Sequence, residues 1–128
     1  MLTFHPKPGT LLICDFDTGF EAPEMVKKRP VVVISPRRRR SSAQLYTVVP
    51  LSTTAPNPVE SFHHRMNPKS LPVSLRSQDA WAKCDMLYTV SLNRLDRVRV
   101  GKSTYSAPQV LAGDLDAIRR GVIEALKL

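Results

Sequence analysis

Short aliphatic runs, separated by prolines and polar turns, occupy most of the first hundred residues. Runs of about 4–8 aliphatic and β-branched residues are typical of buried strands. The run at 31–34 lies between Pro30 and Pro36, and each proline predicts one end of a strand. The pattern predicts strands over 10–16, 31–35 and 45–51, a short edge strand over 62–66, and a turn with a short last strand over 93–100.

The period of the apolar residues changes near the C-terminus. Apolar residues there recur at three- and four-residue steps, which predicts an amphipathic helix over 112–126 with one stripe facing the sheet. The stripe consists of Leu111, Leu115, Ile118, Val122 and Leu126. The preceding Ser106-Ala107-Pro108-Gln109 has the Ser-x-x-Gln form of a capping box, and it predicts a helix start.

Several short strands followed by one helix predict a mainly β (α+β) fold. Eleven prolines argue against a helical bundle. A chain of 128 residues can bury about two-thirds of its unfolded surface without disulfides. Because no repeat or linker interrupts the pattern, we expect a single domain over 1–128.

The charge balance adds a class of partner. The chain has 19 Lys and Arg against 11 Asp and Glu, a formal charge of +8. This charge favours a protein that binds nucleic acid through its phosphates. The alternative is a basic protein without such a partner. Lys27 and Lys28 precede the central strand, and Arg29 is restricted to extended backbone by the proline after it. Behind the strand, Arg37, Arg38, Arg39 and Arg40 form either a phosphate-contacting loop or a solvated loop without a specific role.

The cysteines and histidines lack the spacing of metal ligands. Cys14 and Cys84 lie in apolar stretches, so we expect free buried thiols in a reducing cytosol. No stretch suits a signal peptide or a membrane span, and a cytoplasmic location is expected. His63 and His64 are neighbours, which on a strand point to opposite faces. No metal site is predicted.

Lys83 and Asp85 are candidates for acid–base chemistry. They are two residues apart, so in an extended segment they would share a face. A cation beside a carboxylate suits proton transfer next to a phosphate. The alternative is a surface ion pair of little energetic value.

Two further groups flank the central strands. Ser52 and Thr53 follow a strand, where hydroxyl groups also satisfy local backbone atoms in a turn. The polar loop 17–28 would bring Glu21 close to Arg29 if the strands on either side of it pair antiparallel. The residues alone leave both roles open.

In their order and spacing, these segments resemble the MazF/PemK (Kid) family of bacterial toxin endoribonucleases. The matching strings are Gly9, Gly19-x-Glu21, Arg29-Pro30-Val31-Val32-Val33-Ile34-Ser35-Pro36, Val49-Pro50-Leu51-Ser52-Thr53, Lys83-Cys84-Asp85 and Thr89-Val90. The resemblance implies a small SH3-like barrel of the CcdB/MazF type with a C-terminal helix. It also implies a homodimer whose groove holds single-stranded RNA.

The chemistry implied by the resemblance needs neither metal nor cofactor. The ribose 2′-OH attacks the adjacent phosphate and leaves a 2′,3′-cyclic phosphate and a 5′-OH. Arg29 matches the family's catalytic arginine, and Ser52 the hydroxyl that bonds a non-bridging oxygen. Asp85 matches a general base, Lys83 a charge stabiliser or acid, and Glu21 an acid that orients the arginine.

The sequence departs from the family at Phe20, where Kid-type toxins carry histidine. Phenylalanine cannot transfer a proton, so that role is either absent or taken by Lys83 or His63, while the ring offers a stacking surface. Lys83 itself stands where the family has arginine and loses planar bidentate geometry. The RNA-binding set expected from charge and resemblance is Phe20, Lys27, Lys28, Arg37, Arg38, Arg39, Arg40, Thr53 and His63.

The resemblance also implies partners. A cognate antitoxin with an acidic C-terminal segment would cover the basic groove, and DNA would be reached only through that antitoxin. One alternative is a non-catalytic relative that binds nucleic acid or a protein partner through the same groove. Another is a CcdB-like gyrase inhibitor, against which the set Arg29, Ser52 and Asp85 argues.

Overall fold

The computed structural model describes residues 2–36 and 44–128. Its elements in chain order are β1 (Leu11–Asp15), β2 (Lys28–Val33), β3 (Leu45–Ser52), β4 (His64–Arg65), β5 (Trp81–Ala82), β6 (Tyr88–Ser91), β7 (Leu95–Asp96), β8 (Val98–Gly101), β9 (Thr104–Ser106) and α1 (Ala112–Leu126). Short 3₁₀ helices span Pro68–Ser70, Val73–Leu75 and Leu92–Arg94. The predicted fold class, mainly β with a C-terminal helix, is confirmed.

The sheet is built around β3. Its first half pairs with β6 and its second half with β5, while β2 lies along its other side. The strand order is β4-β5-β3-β2-β1-β7, all antiparallel, and β8 and β9 form a separate hairpin. Among the described strands this path has two ends, so the sheet is not closed into a true barrel.

Both faces of the central strands are covered, which explains their continuous aliphatic runs. Alternate residues enter two cores: Leu11 and Val32 join the core that α1 covers with Ile118 and Val122, whereas Leu12 joins the opposite core. The predicted helix over 112–126 is confirmed residue for residue. Of its predicted stripe, Leu111 and Leu126 do not face the core and are exposed. No helix in the described part of the chain has the length and apolarity that crossing a membrane requires.

The predicted capping box is wrong. The helix begins at Ala112 with Leu111 as its N-cap, and no side chain caps it. The Gln109 amide instead donates to the Pro8 carbonyl at 2.5 Å, and Gln109 forms a β-bridge with Thr10. The local Ser-x-x-Gln pattern is therefore overridden by a contact with the start of β1, which lies far away in the sequence.

Three of the strand predictions need correction. The strand predicted over 31–35 spans Lys28–Val33, so Pro30 lies inside it and does not mark its start. The edge strand predicted over 62–66 is reduced to His64–Arg65. The strand predicted to be the last, within 93–100, is followed by another, because Lys102 and Ser103 turn the chain back into β9. Ser103 takes a φ of 55° in this turn.

Gly121 lies where α1 packs tightly against the turns that contain Phe62 and Cys84. A Cβ atom there would lie 2.6 Å from the Phe62 carbonyl oxygen and 2.7 Å from Cys84 Sγ. We expect Gly121→Ala to lower the free energy of unfolding by about 1–3 kcal/mol, the usual cost of overpacking. Gly113→Ala is the matched control on the same helix, because its Cβ would meet no atom within 4 Å. That change should be neutral or stabilising by up to about 1 kcal/mol. Equal effects of the two variants in urea denaturation would contradict this packing.

The two thiols are free and buried, as predicted. Burial raises the pKa of Cys14 and of Cys84 to about 12, and the neighbouring Asp85 carboxylate adds to the shift at Cys84. Only the thiolate reacts with alkylating reagents, so the native thiols should react with iodoacetamide at pH 8 about a thousandfold more slowly than those of the urea-unfolded chain. Their rate should still be rising with pH where the unfolded chain has levelled off. Fast native alkylation would show that the thiols are not buried.

Candidate active site

The ends of β2 and β3 bring Arg29 and Ser52 to one cleft. Val31 pairs with Pro50, and continuing this antiparallel register by two residues sets Ser52 across from Arg29. Both residues, together with Thr53, line a cleft of about 110 Å³. We call this the Arg29 cleft; its other walls come from the segment 71–80 between β4 and β5. The structure thus brings the predicted residues Arg29 and Ser52 together in one cleft.

Arg29 is half-buried and held by its own loop. Its Nε donates to the Val26 carbonyl at 3.2 Å. Its two terminal nitrogens make no hydrogen bond within residues 2–36 and 44–128, so they are available to an anion in the cleft. A guanidinium fixed through Nε presents a planar pair of donors that matches two phosphate oxygens.

The hydroxyl of Ser52 has both a local role and an available proton. Its Oγ accepts a hydrogen bond from the backbone N–H of Thr54 at 3.1 Å, which satisfies the turn after β3. Because the oxygen accepts this bond, its O–H can donate to a group in the cleft. Thr53 is exposed beside it.

The segment with Lys83 and Asp85 is a turn, and the prediction that they share one face of an extended strand is wrong. The Met86 N–H donates to the Lys83 carbonyl at 2.9 Å, and Lys83 N–H donates to the Pro50 carbonyl at 3.0 Å. Cys84, buried between them against Gly121, fixes the turn. Neither Lys83 nor Asp85 lines the Arg29 cleft, although the turn abuts the strand that carries Ser52.

Asp85 is paired with His63. The side chain of Asp85 is 44% exposed, that of His63 only 8%, and 3.7 Å separates His63 Nε2 from Asp85 Oδ1. His63 Nδ1 accepts from the Glu60 N–H at 2.9 Å, so the ring hydrogen of the neutral imidazole lies on Nε2 and faces the carboxylate. His64 turns instead to Asp114, which confirms that the two histidines do not act together.

The loop between β1 and β2 is organised by Phe20. Its ring packs edge-on against Phe16 and Tyr88, with centroids 5.1 and 5.4 Å away, and the Arg94 guanidinium lies 4.9 Å from its centroid. Where the resemblance expects a histidine, this chain has a loop anchor that belongs to the second core.

Glu21 is exposed and makes its hydrogen bonds with Glu24. Within the described residues it makes none with Arg29, whose orientation comes from Val26. Together with Gly19 and Phe20, Glu21 lines a separate, open cleft of about 370 Å³. No contact among the described residues therefore supports the expected role of Glu21 in orienting Arg29.

The remaining cations predicted to bind RNA divide into two groups. Lys27 and Lys28 are exposed, and Lys27 has a φ of 69°, with its carbonyl accepting from the Phe16 N–H. Arg37, Arg38, Arg39 and Arg40 lie outside the described residues, so their role stays a prediction. No cluster of three or more His, Cys, Asp or Glu side chains suited to a metal ion occurs in the described part of the chain.

Sequence reasoning missed a further cleft, which is larger than the Arg29 cleft. Its volume is about 320 Å³, and Lys28, Arg94, Arg97 and Arg99 contribute its cations. The signal in the sequence was the recurrence of arginine among apolar residues over 94–99. It predicted positive charge in this segment but not the cleft that the charge would line. The pairing of β7 with β1 gathers these residues.

Comparison with known proteins identifies relatives along nearly the whole chain. Residues 7–124 match the family of PemK-like, MazF-like toxins of type II toxin–antitoxin systems. The YifN protein of Escherichia coli (strain K12) is 31% identical over 149 aligned positions, which cover 98% of this chain and 94% of YifN.

Solved structures share the fold at lower identity. MazF of Deinococcus radiodurans superposes with a TM-score of 0.70 at 18% identity, covering 98% of this chain and 99% of that one. An endoribonuclease from a mycobacterial species gives 0.68 at 19% identity, covering 100% and 97%. A mycobacterial endoribonuclease in complex with its cognate antitoxin gives 0.66 at 19% identity, with 96% of each chain covered. With residues 7–124 matched and the fold shared, the chain belongs to the PemK-like, MazF-like toxins of type II toxin–antitoxin systems.

Proposed function

We propose that the protein is the endoribonuclease toxin of such a system and cleaves single-stranded RNA in the cytoplasm. The observation that carries the proposal is the Arg29 cleft, which Arg29 and Ser52 line together in a member of this family. Structural relatives named endoribonucleases support it.

The proposed reaction is an internal transesterification. The ribose 2′-oxygen attacks the adjacent phosphorus, the bond from phosphorus to the 5′-oxygen breaks, and the products carry a 2′,3′-cyclic phosphate and a 5′-OH. Arg29 stabilises the negative charge that builds up on the non-bridging oxygens, and Ser52 donates to one of them. Neither the attack of the 2′-oxygen nor the stabilisation of the phosphate charge requires a metal ion.

Two protons must also move. Asp85 accepts the proton of the 2′-OH, and the 5′-oxygen takes one as it leaves. Asp85 suits the first task because its carboxylate is exposed, lies 3.7 Å from His63 Nε2 and is carried by the turn that abuts the strand of Ser52. Lys83, two residues before it on the same turn, supplies positive charge and the proton for the leaving group. The buried His63 acts through Asp85 and does not replace the histidine of the Kid-type loop.

The proposed partner is an antitoxin with an acidic segment that covers the basic groove of a homodimer. A net charge of +8 supports a polyanionic partner. A relative in complex with its cognate antitoxin provides the precedent. DNA would be bound only through the antitoxin.

The test is incubation of the purified protein with a mixed single-stranded RNA in EDTA, followed by mapping of the product ends. Cuts that leave 5′-OH ends support the proposed function and give the preferred sequence. Tight binding without cleavage would indicate a non-catalytic binding module. If the protein neither binds nor cleaves RNA, its target is expected to be a protein.

Asp85→Asn should depress cleavage more than RNA binding. The amide cannot accept the 2′-proton, so we expect single-turnover cleavage to fall about 10²–10⁴-fold while the Kd for RNA changes little. Asp79→Asn is the control, since Asp79 is exposed and pairs only with Arg65 at 3.9 Å among the described residues. Loss of binding with an unchanged cleavage step would make Asp85 a structural residue.

A further inference from the structure

The cleft lined by Lys28, Arg94, Arg97 and Arg99, named here the arginine cleft, has about three times the volume of the Arg29 cleft, about 320 against about 110 Å³. Asp15 and Asp96 are its only carboxylates among the described lining residues. One oxygen of each accepts a backbone hydrogen bond: Asp15 from the Asp17 N–H at 2.8 Å, Asp96 from the Arg97 N–H at 2.7 Å. The cleft is therefore net cationic and suited to an anion.

The fold builds this cleft from three neighbouring strands. Asp15 pairs with Lys28 between β1 and β2, and Ile13 pairs with Asp96 between β1 and β7. Arg94 is held in its lining, because Nη1 donates to the Asp15 carbonyl at 3.0 Å and the guanidinium covers Phe20. One of the four cations is thus fixed in place by the fold.

The arginine cleft is connected to the Arg29 cleft by a hydrogen bond between residues that line them. Ser74, which lines the Arg29 cleft, donates from Oγ to the carbonyl of Arg99 at 3.1 Å. Because residues that line the two clefts are hydrogen-bonded to each other, the arginine cleft lies next to a polyanion held at Arg29.

An exposed aromatic ring distinguishes between polyanions. Tyr105 is 45% exposed and lies opposite Arg99 in the β8–β9 hairpin. The guanidinium of Arg97 lies 5.2 Å from the centroid of its ring. Basic side chains interleaved with an accessible aromatic ring are typical of single-stranded nucleic-acid binding, where bases stack and phosphates pair. An acidic peptide would use the charges but not the ring.

We propose that the arginine cleft is a second RNA subsite, which binds phosphates of the same strand beyond the cleaved bond while Tyr105 stacks an unpaired base. This inference rests on the proposed function, because it takes RNA held at Arg29 as its starting point. It assigns Arg97 and Arg99 to binding, with no part in the chemical step. RNA strands too short to extend beyond the Arg29 cleft should not contact Arg97 or Arg99.

The test compares binding of 2′-O-methyl oligonucleotides, which lack the attacking hydroxyl, at lengths of about 3 and about 12 nucleotides. The R97Q/R99Q double variant should bind the longer strand about tenfold more weakly and lower the salt slope by about 1.4, as expected for two phosphate contacts on a single strand. The shorter strand should bind as it does to wild type. Tyr105→Ala should weaken only the longer strand, about tenfold, and leave the salt slope unchanged.

The matched control is R119Q/R120Q, which removes two exposed arginines from α1 and so the same charge. An equal loss in that control, or an equal loss for the shorter strand, would overturn the subsite. A larger loss for a polyglutamate peptide than for RNA would overturn it in favour of an acidic partner. Failure of the wild type to cleave RNA in EDTA would instead count against the proposed function, because binding is measured without cleavage.

Discussion

Replacing Arg29 by alanine is expected to lower RNA cleavage by about 10²–10³-fold, the loss typical of removing one pre-organised donor to a charged transition state. The fold should remain intact, because the side chain is half-buried and its one hydrogen bond within the described residues goes to the Val26 carbonyl. Circular dichroism and urea denaturation would establish this alongside a single-turnover cleavage assay. Arg29 lines the Arg29 cleft, so removal of its guanidinium should affect the chemistry directly.

Two companion variants sharpen the result. Arg29→Lys keeps the charge but loses the planar fork, and it should retain part of the activity. Arg119→Ala removes an exposed arginine on α1 and should leave cleavage unchanged. Unchanged cleavage by Arg29→Ala would remove Arg29 from the active site and the Arg29 cleft from the proposed mechanism.

Asp114→Ala is expected to cause the largest loss of stability, about 3–5 kcal/mol of the free energy of unfolding. Asp114 lies in the first turn of α1 and is only 5% exposed. Its carboxylate accepts from His64 Nε2 at 2.7 Å, from the Asn67 N–H at 3.2 Å and from the hydroxyl of the buried Ser70. It thereby joins the helix to β4 and to the 3₁₀ helix after it.

The cost comes from the partners left behind. Without the carboxylate, the Asn67 N–H and the Ser70 hydroxyl lose their acceptor in a site where water has little access. Asp116→Ala is the control on the same helix, because Asp116 is 63% exposed and forms an i,i+4 pair with Arg120 worth about 0.2–0.5 kcal/mol. Comparable small effects in urea denaturation of both variants would show that Asp114 does not hold the helix to the sheet.

Neither the Asp114 cluster nor the arginine cleft could be derived from the sequence. Asp114 is one of several acids on an amphipathic helix, and its partner Ser70 lies 44 residues away. The arginine cleft depends on the pairing of β7 with β1, about eighty positions apart in the chain. Patterns along a chain carry little information about such distant partners, so charge was predicted there without a location.

Turns showed the same limit at shorter range. Lys83 and Asp85 have the two-residue spacing that would put both on one face of a strand. The backbone hydrogen bond from Lys83 N–H to the Pro50 carbonyl and the burial of Cys84 against Gly121 make the segment a turn instead. Gln109 has the spacing of a capping residue, but its side-chain amide donates a hydrogen bond to the Pro8 carbonyl. In both cases tertiary contacts outweighed a weak local preference.

Local physical chemistry was sufficient for the central strands, for helix α1 and for the position of Arg29. Aliphatic runs bounded by prolines can be buried only as strands between two covered faces, and a stripe with helical period must face a core. Proline after Arg29 fixes extended backbone through sterics that need no partner. The Asp85–His63 pair and the contact between the two clefts depend instead on polar contacts between distant segments, which exist only once the sheet has formed.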